Sequence, residues 1–208
     1  MLEKANSDEK LKITYTGEIP MERGLGSSAT VALGTTKALN DYFNLNLSED
    51  EIMAITNHAE MINHGKASGL DAATVNSDYL VFFNKQDGPK MIKSKLGAYL
   101  LIMDTGELGN TREAVGLVRK QLDSSVDANK RIERLGQLAD DTMSSWTKHD
   151  SQKVGQIFNE AQDILASFKL SGGGLGGIVI AVCDSQQTAK KIAAKSKDLI
   201  NESWIEEI

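Results

Sequence analysis

This chain of 208 residues has little cysteine and little histidine. It has one cysteine, Cys183, so an intrachain disulfide framework is excluded and a reducing compartment is favoured. The only histidines are His58, His64 and His149. Without cysteine companions, they argue against a metal site built on histidine.

Long apolar runs and an excess of basic residues are also missing. No stretch is long and apolar enough to span a membrane, and the first ten residues, MLEKANSDEK, lack the apolar core of a signal peptide. Lys and Arg number 23 against 29 Asp and Glu, for a formal net charge of −6. Nucleic acid would need a net basic surface. We therefore expect a cytoplasmic protein with no membrane and no nucleic acid among its partners.

The composition that is present suits a soluble globular protein. Hydrophobic residues make up 40% of the chain and charged residues 25%, which is typical of one large or two small domains. Periodicity predicts both helices and strands, and their order indicates an α+β fold. The predicted helices cover residues 29–43, 48–64, 111–149 with a break between 124 and 129, 151–167 and 186–201. The predicted strands cover residues 11–16, 79–83, 96–103 and 178–182, with a short strand or tail at 203–208.

Two local patterns define the helix predicted over residues 48–64. Ser48 followed by Glu51 is a capping-box pattern at its start. The spacing of four apolar residues predicts one buried face, and it sets Glu60 and His64 on a different face. The predicted buried face consists of Ile52, Ile55, Ala59 and Ile62. A Gln-Asp-Gly-Pro turn at residues 86–89 predicts a hairpin after the strand at 79–83.

The stretch from Pro20 to Ala29, PMERGLGSSA, lies where a predicted strand becomes a predicted helix. Glycines let a backbone approach an anion closely, and the first amides of a helix attract negative charge. Its serines add donors, and one is suited to Mg²⁺. A glycine-serine turn before a helix is also ordinary, since serine is a favoured N-cap. The stretch lacks the Gly-Lys-Ser/Thr ending of a Walker A loop.

Two motifs resemble those of the GHMP kinases, the family of galactokinase, homoserine kinase, mevalonate kinase and phosphomevalonate kinase. PMERGLGSSA resembles the family's second motif, P-x-x-x-G-L-G-S-S-A, and KLSGGGLGG at residues 169–177 resembles its third. The resemblance implies a two-domain α+β fold, with an N-terminal α/β domain at 1–93 and a C-terminal ferredoxin-like α+β domain at 94–208. A flexible linker is the other interpretation of the second glycine-rich segment.

A third resemblance concerns two acidic residues. EMINHG at residues 60–65 and SGLD at residues 68–71 are similar to E-x-x-x-H-G-x-P-S-G-x-D in the branch of the family that phosphorylates mevalonate. It implies that Glu60 ligates Mg²⁺ and that Asp71 is the catalytic base. Spacing alone favours a solvated helix residue for Glu60 and an N-cap for Asp71. Ala67 stands where proline is usual, which loosens the loop slightly.

The resemblance assigns the remaining site residues. Ser28 would be a second Mg²⁺ ligand. Around the phosphates of ATP it implies Gly24, Leu25, Gly26, Ser27, Ser28 and Ala29. Around the substrate it implies His64, Asp71, Thr111 and Gly173. Thr111 belongs to a segment similar to the family's D-T-G-x-x-x-x-T-R, beginning at Asp104, and its other interpretation is a helix N-cap.

The function implied is ATP- and Mg²⁺-dependent phosphorylation of (R)-mevalonate to 5-phosphomevalonate, with ATP and mevalonate as partners and a homodimer left open. Two alternatives remain. One is a GHMP kinase for phosphomevalonate, homoserine or galactose, and the other is a kinase-like binding module without turnover.

The sequence departs from the family in two places. Nothing before Leu11 supplies the family's first motif with its lysine, and Phe168 alone joins the helix at 151–167 to KLSGGG. Either this sequence is part of a longer protein, or the gene product is shortened. For a shortened product we expect little or no kinase activity.

Overall fold

The computed structural model describes residues 1–18, 20–21, 23–64, 67–108, 111–168 and 177–208. The chain divides into two compact units. The N-terminal unit comprises Met1–Met21 and Leu25–Met91, and the C-terminal unit comprises Glu22–Gly24 and Ile92–Ile208. The assignment of family domains to 1–93 and 94–208 stays a prediction.

The N-terminal unit is mainly helical. Its helix α2 packs against both α3 and α4, and its two strands pair with each other. The hairpin predicted from the turn at residues 86–89 is therefore confirmed. Its elements are α1 (Leu2–Ala5), α2 (Ser27–Tyr42), α3 (Glu49–His64), α4 (Leu70–Val75), β1 (Leu80–Asn84) and β2 (Gly88–Ile92).

The capping box at the start of α3 forms as predicted. The backbone amide of Glu51 donates to Ser48 Oγ at 3.3 Å, and the amide of Ser48 donates to Glu51 Oε2 at 3.1 Å. The two residues thus satisfy amides that have no partner within the helix.

The buried face of α3 differs from the prediction. Ile52, Thr56 and Glu60 are buried at intervals of four residues, whereas Ile62 is 75% exposed. The prediction from apolar spacing missed this face because it includes the polar residue Thr56. The Thr56 hydroxyl donates to the Ile52 carbonyl oxygen at 2.9 Å, so its hydrogen bond is made within the helix and the side chain can be buried.

The strand predicted over residues 11–16 is wrong. Residues 11–18 form no regular element and are exposed, including the three apolar side chains of the alternating pattern. Alternation marks a face that a sheet can bury, but a strand also needs a hydrogen-bonding neighbour. Neither described sheet provides one for this segment.

The C-terminal unit is built on an antiparallel three-stranded sheet with the order β4-β3-β5. Tyr99 pairs with Cys183 on one side and with Glu207 on the other, which fixes the register of both ladders. The elements of this unit are β3 (Tyr99–Asp104), α5 (Thr111–Ser124), α6 (Val126–Thr147), α7 (Ser151–Ser167), β4 (Ile178–Cys183), α8 (Gln186–Lys195) and β5 (Glu202–Glu207).

Helices cover both faces of this sheet because its residues alternate between two cores. Leu101 and Met103 of β3 pack with Ala189 of α8. On the other side, Ala98 packs with Trp146 of α6 and Val154 of α7. The α+β class predicted from the sequence is confirmed.

Helix boundaries in this unit follow their local signals. α7 has the predicted bounds, with the side chain of Asp150 accepting from the Lys153 amide at its start. The break within residues 111–149 falls at Ser125, the N-cap of α6. α8 ends at Lys195, six residues before the predicted end, and in the described part of the chain no helix is long and apolar enough to cross a membrane.

Candidate active site

The glycine-serine loop leads directly into the first turn of α2. Gly26 is the N-cap with φ +69°, and its carbonyl oxygen accepts from the Thr30 amide at 2.9 Å. A Cβ at Gly26 would lie 3.2 Å from Val75 Cγ1. Glycine is required here by both its left-handed backbone and this close packing. The glycine cap makes Ser27 and Ser28 the first two residues of the helix, so the interpretation of these serines as N-caps is wrong.

Ser28 and Glu60 meet in the N-terminal unit. Ser28 Oγ donates to Glu60 Oε1 at 2.6 Å, and Glu60 is only 5% exposed. Asn63 Nδ2 donates to Ser28 Oγ at 2.9 Å, extending the chain of hydrogen bonds. Glu60 is therefore not a solvated helix residue, and the structure brings the two predicted Mg²⁺ ligands together.

The donor set of this pair fits Mg²⁺. A carboxylate and a hydroxyl are hard oxygen donors, and Mg²⁺ in phosphoryl-transfer sites commonly takes one or two protein oxygens, with water and substrate phosphates completing its shell. Among the described residues there is no group of three or more His, Cys, Asp or Glu side chains that could hold a metal ion. With two protein oxygens, Ser28 and Glu60 would leave the other positions around a bound Mg²⁺ to water and phosphate oxygens.

Asp71 lies in the first turn of α4 and is exposed. The helix cap is Gly69, with φ +85°, so the interpretation of Asp71 as an N-cap is wrong. α4 packs against α2 and α3, the helices that carry Ser28 and Glu60. Asp71 therefore lies on a helix that packs against both helices carrying the proposed metal ligands.

A second group of polar residues lies at the end of β3 in the C-terminal unit. Arg23 Nε lies 2.9 Å from Asp104 Oδ1 in a nearly buried ion pair. The hydroxyl of Thr105 donates to the carbonyl oxygen of Gly177 at 2.7 Å, and the Gly177 amide donates to the carbonyl oxygen of Glu107 at 2.8 Å. The end of β3 and the start of β4 are thus tied together.

Residues 1–77 match the GHMP kinases N terminal domain. The resemblance to the GHMP kinases is confirmed. The match includes the glycine-serine loop, Ser28, Glu60 and Asp71.

Relatives with similarity over most of the chain carry the name mevalonate kinase. The mevalonate kinase of Pyrococcus horikoshii is 28% identical over 200 residues, covering 93% of this chain and 58% of that protein. The crystal structure of L. major mevalonate kinase in complex with R-mevalonate has a TM-score of 0.76 at 23% identity, covering 86% of this chain and 64% of that one. That of the Staphylococcus aureus MRSA252 enzyme has a TM-score of 0.67 at 26% identity, covering 91% and 68%.

These comparisons confirm the two-domain GHMP-kinase-like fold predicted from the motifs. The chain spans 58% of the length of the Pyrococcus horikoshii relative.

For three predicted substrate residues the structure describes no side chain. Thr111 is the first residue of α5 and His64 the last of α3, and their side chains are outside the described part. Gly173 lies outside the described residues together with the rest of 169–176. Their roles stay predictions.

Sequence reasoning missed two residues, Asn63 and Arg23. Asn63 lies three residues after Glu60, a spacing that places both on one side of a helix, so it was open to detection once Glu60 was singled out. Arg23 is inside the second GHMP motif at a variable position of the pattern. Nothing in the sequence indicates that Asp104 is its partner, because the two are far apart along the chain.

Cys183, at the end of β4, is buried among apolar side chains as predicted. Burial raises the pKa of its thiol, and the charge of the neighbouring Asp184 raises it further. A thiol held in its neutral form is a poor nucleophile, so this cysteine has a packing role.

Proposed function

We propose that the protein is an ATP-dependent kinase that phosphorylates (R)-mevalonate to 5-phosphomevalonate, the function carried by the names of its relatives. The observation that carries the proposal is the Ser28–Glu60 contact at the start of α2, directly after a loop whose glycines adopt left-handed backbone. Together they form an anion-binding helix start with hard oxygen donors beside it.

The loop is proposed to bind the phosphates of ATP. Gly24 and Gly26 leave room for a phosphate against the backbone, and the first amides of α2 donate to it. Leu25, Ser27, Ser28 and Ala29 complete this binding segment. Because α2 runs for 16 residues, its dipole also favours the negative charge.

Glu60 and Ser28 would hold Mg²⁺, which neutralises charge on the phosphates when bound. Burial of the Glu60 carboxylate strengthens its interaction with a cation, since the local dielectric is low. Asn63 fixes the Ser28 hydroxyl from the other side. These three side chains thus present oxygen donors in one defined arrangement.

Asp71 is proposed as the base towards the mevalonate hydroxyl. Its carboxylate accepts the hydroxyl proton as the oxygen bonds to the γ-phosphorus, and the bond from that phosphorus to the bridging oxygen of ADP breaks. His64, Thr111 and Gly173 are proposed to contact the substrate.

A substrate panel tests the acceptor. ADP formation is measured with ATP and Mg²⁺ against mevalonate, phosphomevalonate, homoserine and galactose. The highest kcat/KM is expected for mevalonate. Preference for any other acceptor would assign the protein to a different branch of the GHMP kinases.

The role of Asp71 is tested by Asp71→Asn, with Asp163→Asn on the exposed surface of α7 as the matched control. Loss of the base is expected to lower kcat by about 10²–10⁴-fold, while the affinity for MgATP and the control variant stay at parental values. Turnover that survives in Asp71→Asn would refute the assignment.

The alternative to a kinase is a nucleotide-binding module without turnover. Calorimetric titration with MgATP separates the two candidates. Binding with no phosphorylation of any acceptor would support the module, and binding with mevalonate turnover would refute it.

A further inference from the structure

Arg23 is a nearly buried cation immediately before the glycine-serine loop. Its side chain is 14% exposed and that of its partner Asp104 is 6% exposed, and Arg23 Nε lies 2.9 Å from Asp104 Oδ1. Arg23 and Asp104 both belong to the C-terminal unit. The pair therefore holds the residue that directly precedes Gly24 in the chain.

Asp104 is itself firmly held. The Gly106 amide donates to its Oδ1 at 3.0 Å, and its own carbonyl oxygen accepts from the Asn201 amide at 2.8 Å. It is also the last residue of β3, the central strand of the three-stranded sheet. An ion pair to this carboxylate thus fixes Arg23 to the end of the central strand.

The backbone of Arg23 is held from a second side. A Cβ on Gly177 would lie 2.9 Å from the carbonyl oxygen of Arg23, and Gly177 has φ +97°. Only glycine allows the start of β4 to approach this carbonyl so closely. Arg23 thus has an ion pair at its side chain and close packing against Gly177 at its carbonyl oxygen.

The pair is poorly suited to a role in stability alone. Arg23 Nε is close to the carboxylate without hydrogen-bond alignment, and the buried Nη1 has no hydrogen-bond partner among the described residues. Removing two charges from water is costly, and an ion pair offsets that cost only with good geometry and satisfied donors. A pair with these defects is better explained by what it positions.

We propose that Arg23 is a positioning residue whose ion pair with Asp104 sets the conformation of the loop from Gly24 to Ser28. Between Arg23 and the start of α2 the chain contains two left-handed residues, Gly24 with φ +83° and Gly26 with φ +69°. The consequence for nucleotide binding rests on the proposed function of the loop, whereas the consequence for loop order does not.

The test compares Arg23→Gln, Asp104→Asn and the double variant with the parent. Each single variant leaves one charge buried without its partner and is expected to be less stable. The double variant has no unpaired charge, so its melting temperature is expected to return towards the parental value. If the pair only stabilised the fold, the amide exchange of residues 24–28 and the KM for ATP would return to parental values together with the melting temperature.

Amide hydrogen exchange of residues 24–28, measured without ligand, provides the deciding readout. In the double variant the exchange of these amides is expected to rise about tenfold or more as the loop loses its anchor. With ATP the KM is expected to rise by a similar factor, with a smaller change in kcat. The matched control is Arg134→Gln with Glu160→Gln, which removes an exposed ion pair between α6 and α7 with a 2.6 Å contact. This control is expected to change neither the amide exchange of residues 24–28 nor the KM for ATP.

Parental exchange at residues 24–28 in a double variant of parental stability would overturn the inference. If the double variant does not fold, Arg23→Met with Asp104→Leu supplies the same comparison through apolar residues of similar volume. Should the parent bind no MgATP, the proposed function fails, but the exchange measurement still decides the role of Arg23.

Discussion

The carboxylate of Glu60 is buried, and the Ser28 hydroxyl donates to it at 2.6 Å. A buried charge that loses a donor keeps its desolvation cost, about 1–3 kcal/mol for one lost partner. We therefore expect Ser28→Ala to lower the free energy of unfolding by about 1–2 kcal/mol in urea titrations.

Ser124→Ala serves as the control for that measurement. Ser124 is exposed near the end of α5, and its hydroxyl donates only to backbone carbonyl oxygens. Its replacement is expected to change stability by less than about 0.5 kcal/mol. Equal effects of the two substitutions would contradict the role given to the Ser28 hydroxyl beside Glu60.

Two glycines make a matched pair for backbone conformation. Gly177 has φ +97° and no room for a Cβ beside Arg23, whereas a Cβ added to Gly136, within α6, would have no neighbour within 4 Å. Gly177→Ala is expected to destabilise by about 1–3 kcal/mol. Gly136→Ala is expected to stabilise by about 0.5–1 kcal/mol, because alanine favours helix.

Thermal unfolding of both variants checks this contrast. Opposite shifts of the melting temperature are expected. A neutral Gly177→Ala would mean that the start of β4 does not approach Arg23 as closely as described.

At the scale of elements, helix α3 begins with a charged capping box that makes its stability depend on pH. A hydrogen bond from Lys4 lowers the pKa of Glu51 below its ordinary 4.5, and the amide and hydroxyl of Ser48 lower it further. Because the pKa is lower in the folded chain, the stabilisation is present above the unfolded value and is lost as pH falls through the folded value.

NMR titration of the Glu51 carboxylate checks this prediction. Its midpoint is expected below 4.5, and Lys4→Gln and Ser48→Ala are each expected to raise it. A midpoint that neither substitution moves would show that these contacts do not hold the carboxylate.

Elements set by local signals were predictable from the sequence. The capping box of α3 and the bounds of α7 depend on residues within one or two turns of the helix end. The strand over residues 11–16 failed because pairing depends on a neighbour elsewhere in the chain. The Arg23–Asp104 pair was missed for the same reason, since no short-range pattern joins the second motif to the end of β3.

At the scale of the whole molecule, the order of the predicted helices and strands predicted the α+β class. The shared role of Ser28 and Glu60 was implied only by the resemblance to the GHMP kinases, because neither periodicity nor spacing joins these two residues. The burial of Glu60 was not predictable from periodicity, because its face of α3 includes the polar Thr56. The site is therefore an exception to apolar patterning, as functional sites commonly are.

Product identification tests the proposed kinase activity most directly. The chain is incubated with ATP, Mg²⁺ and (R)-mevalonate, and the mixture is analysed by mass spectrometry, with Asp71→Asn in parallel. We expect 5-phosphomevalonate and ADP in equal amounts for the parent and neither above background for the variant. ADP without phosphomevalonate, or no product from a parent that binds MgATP, would contradict the proposed reaction.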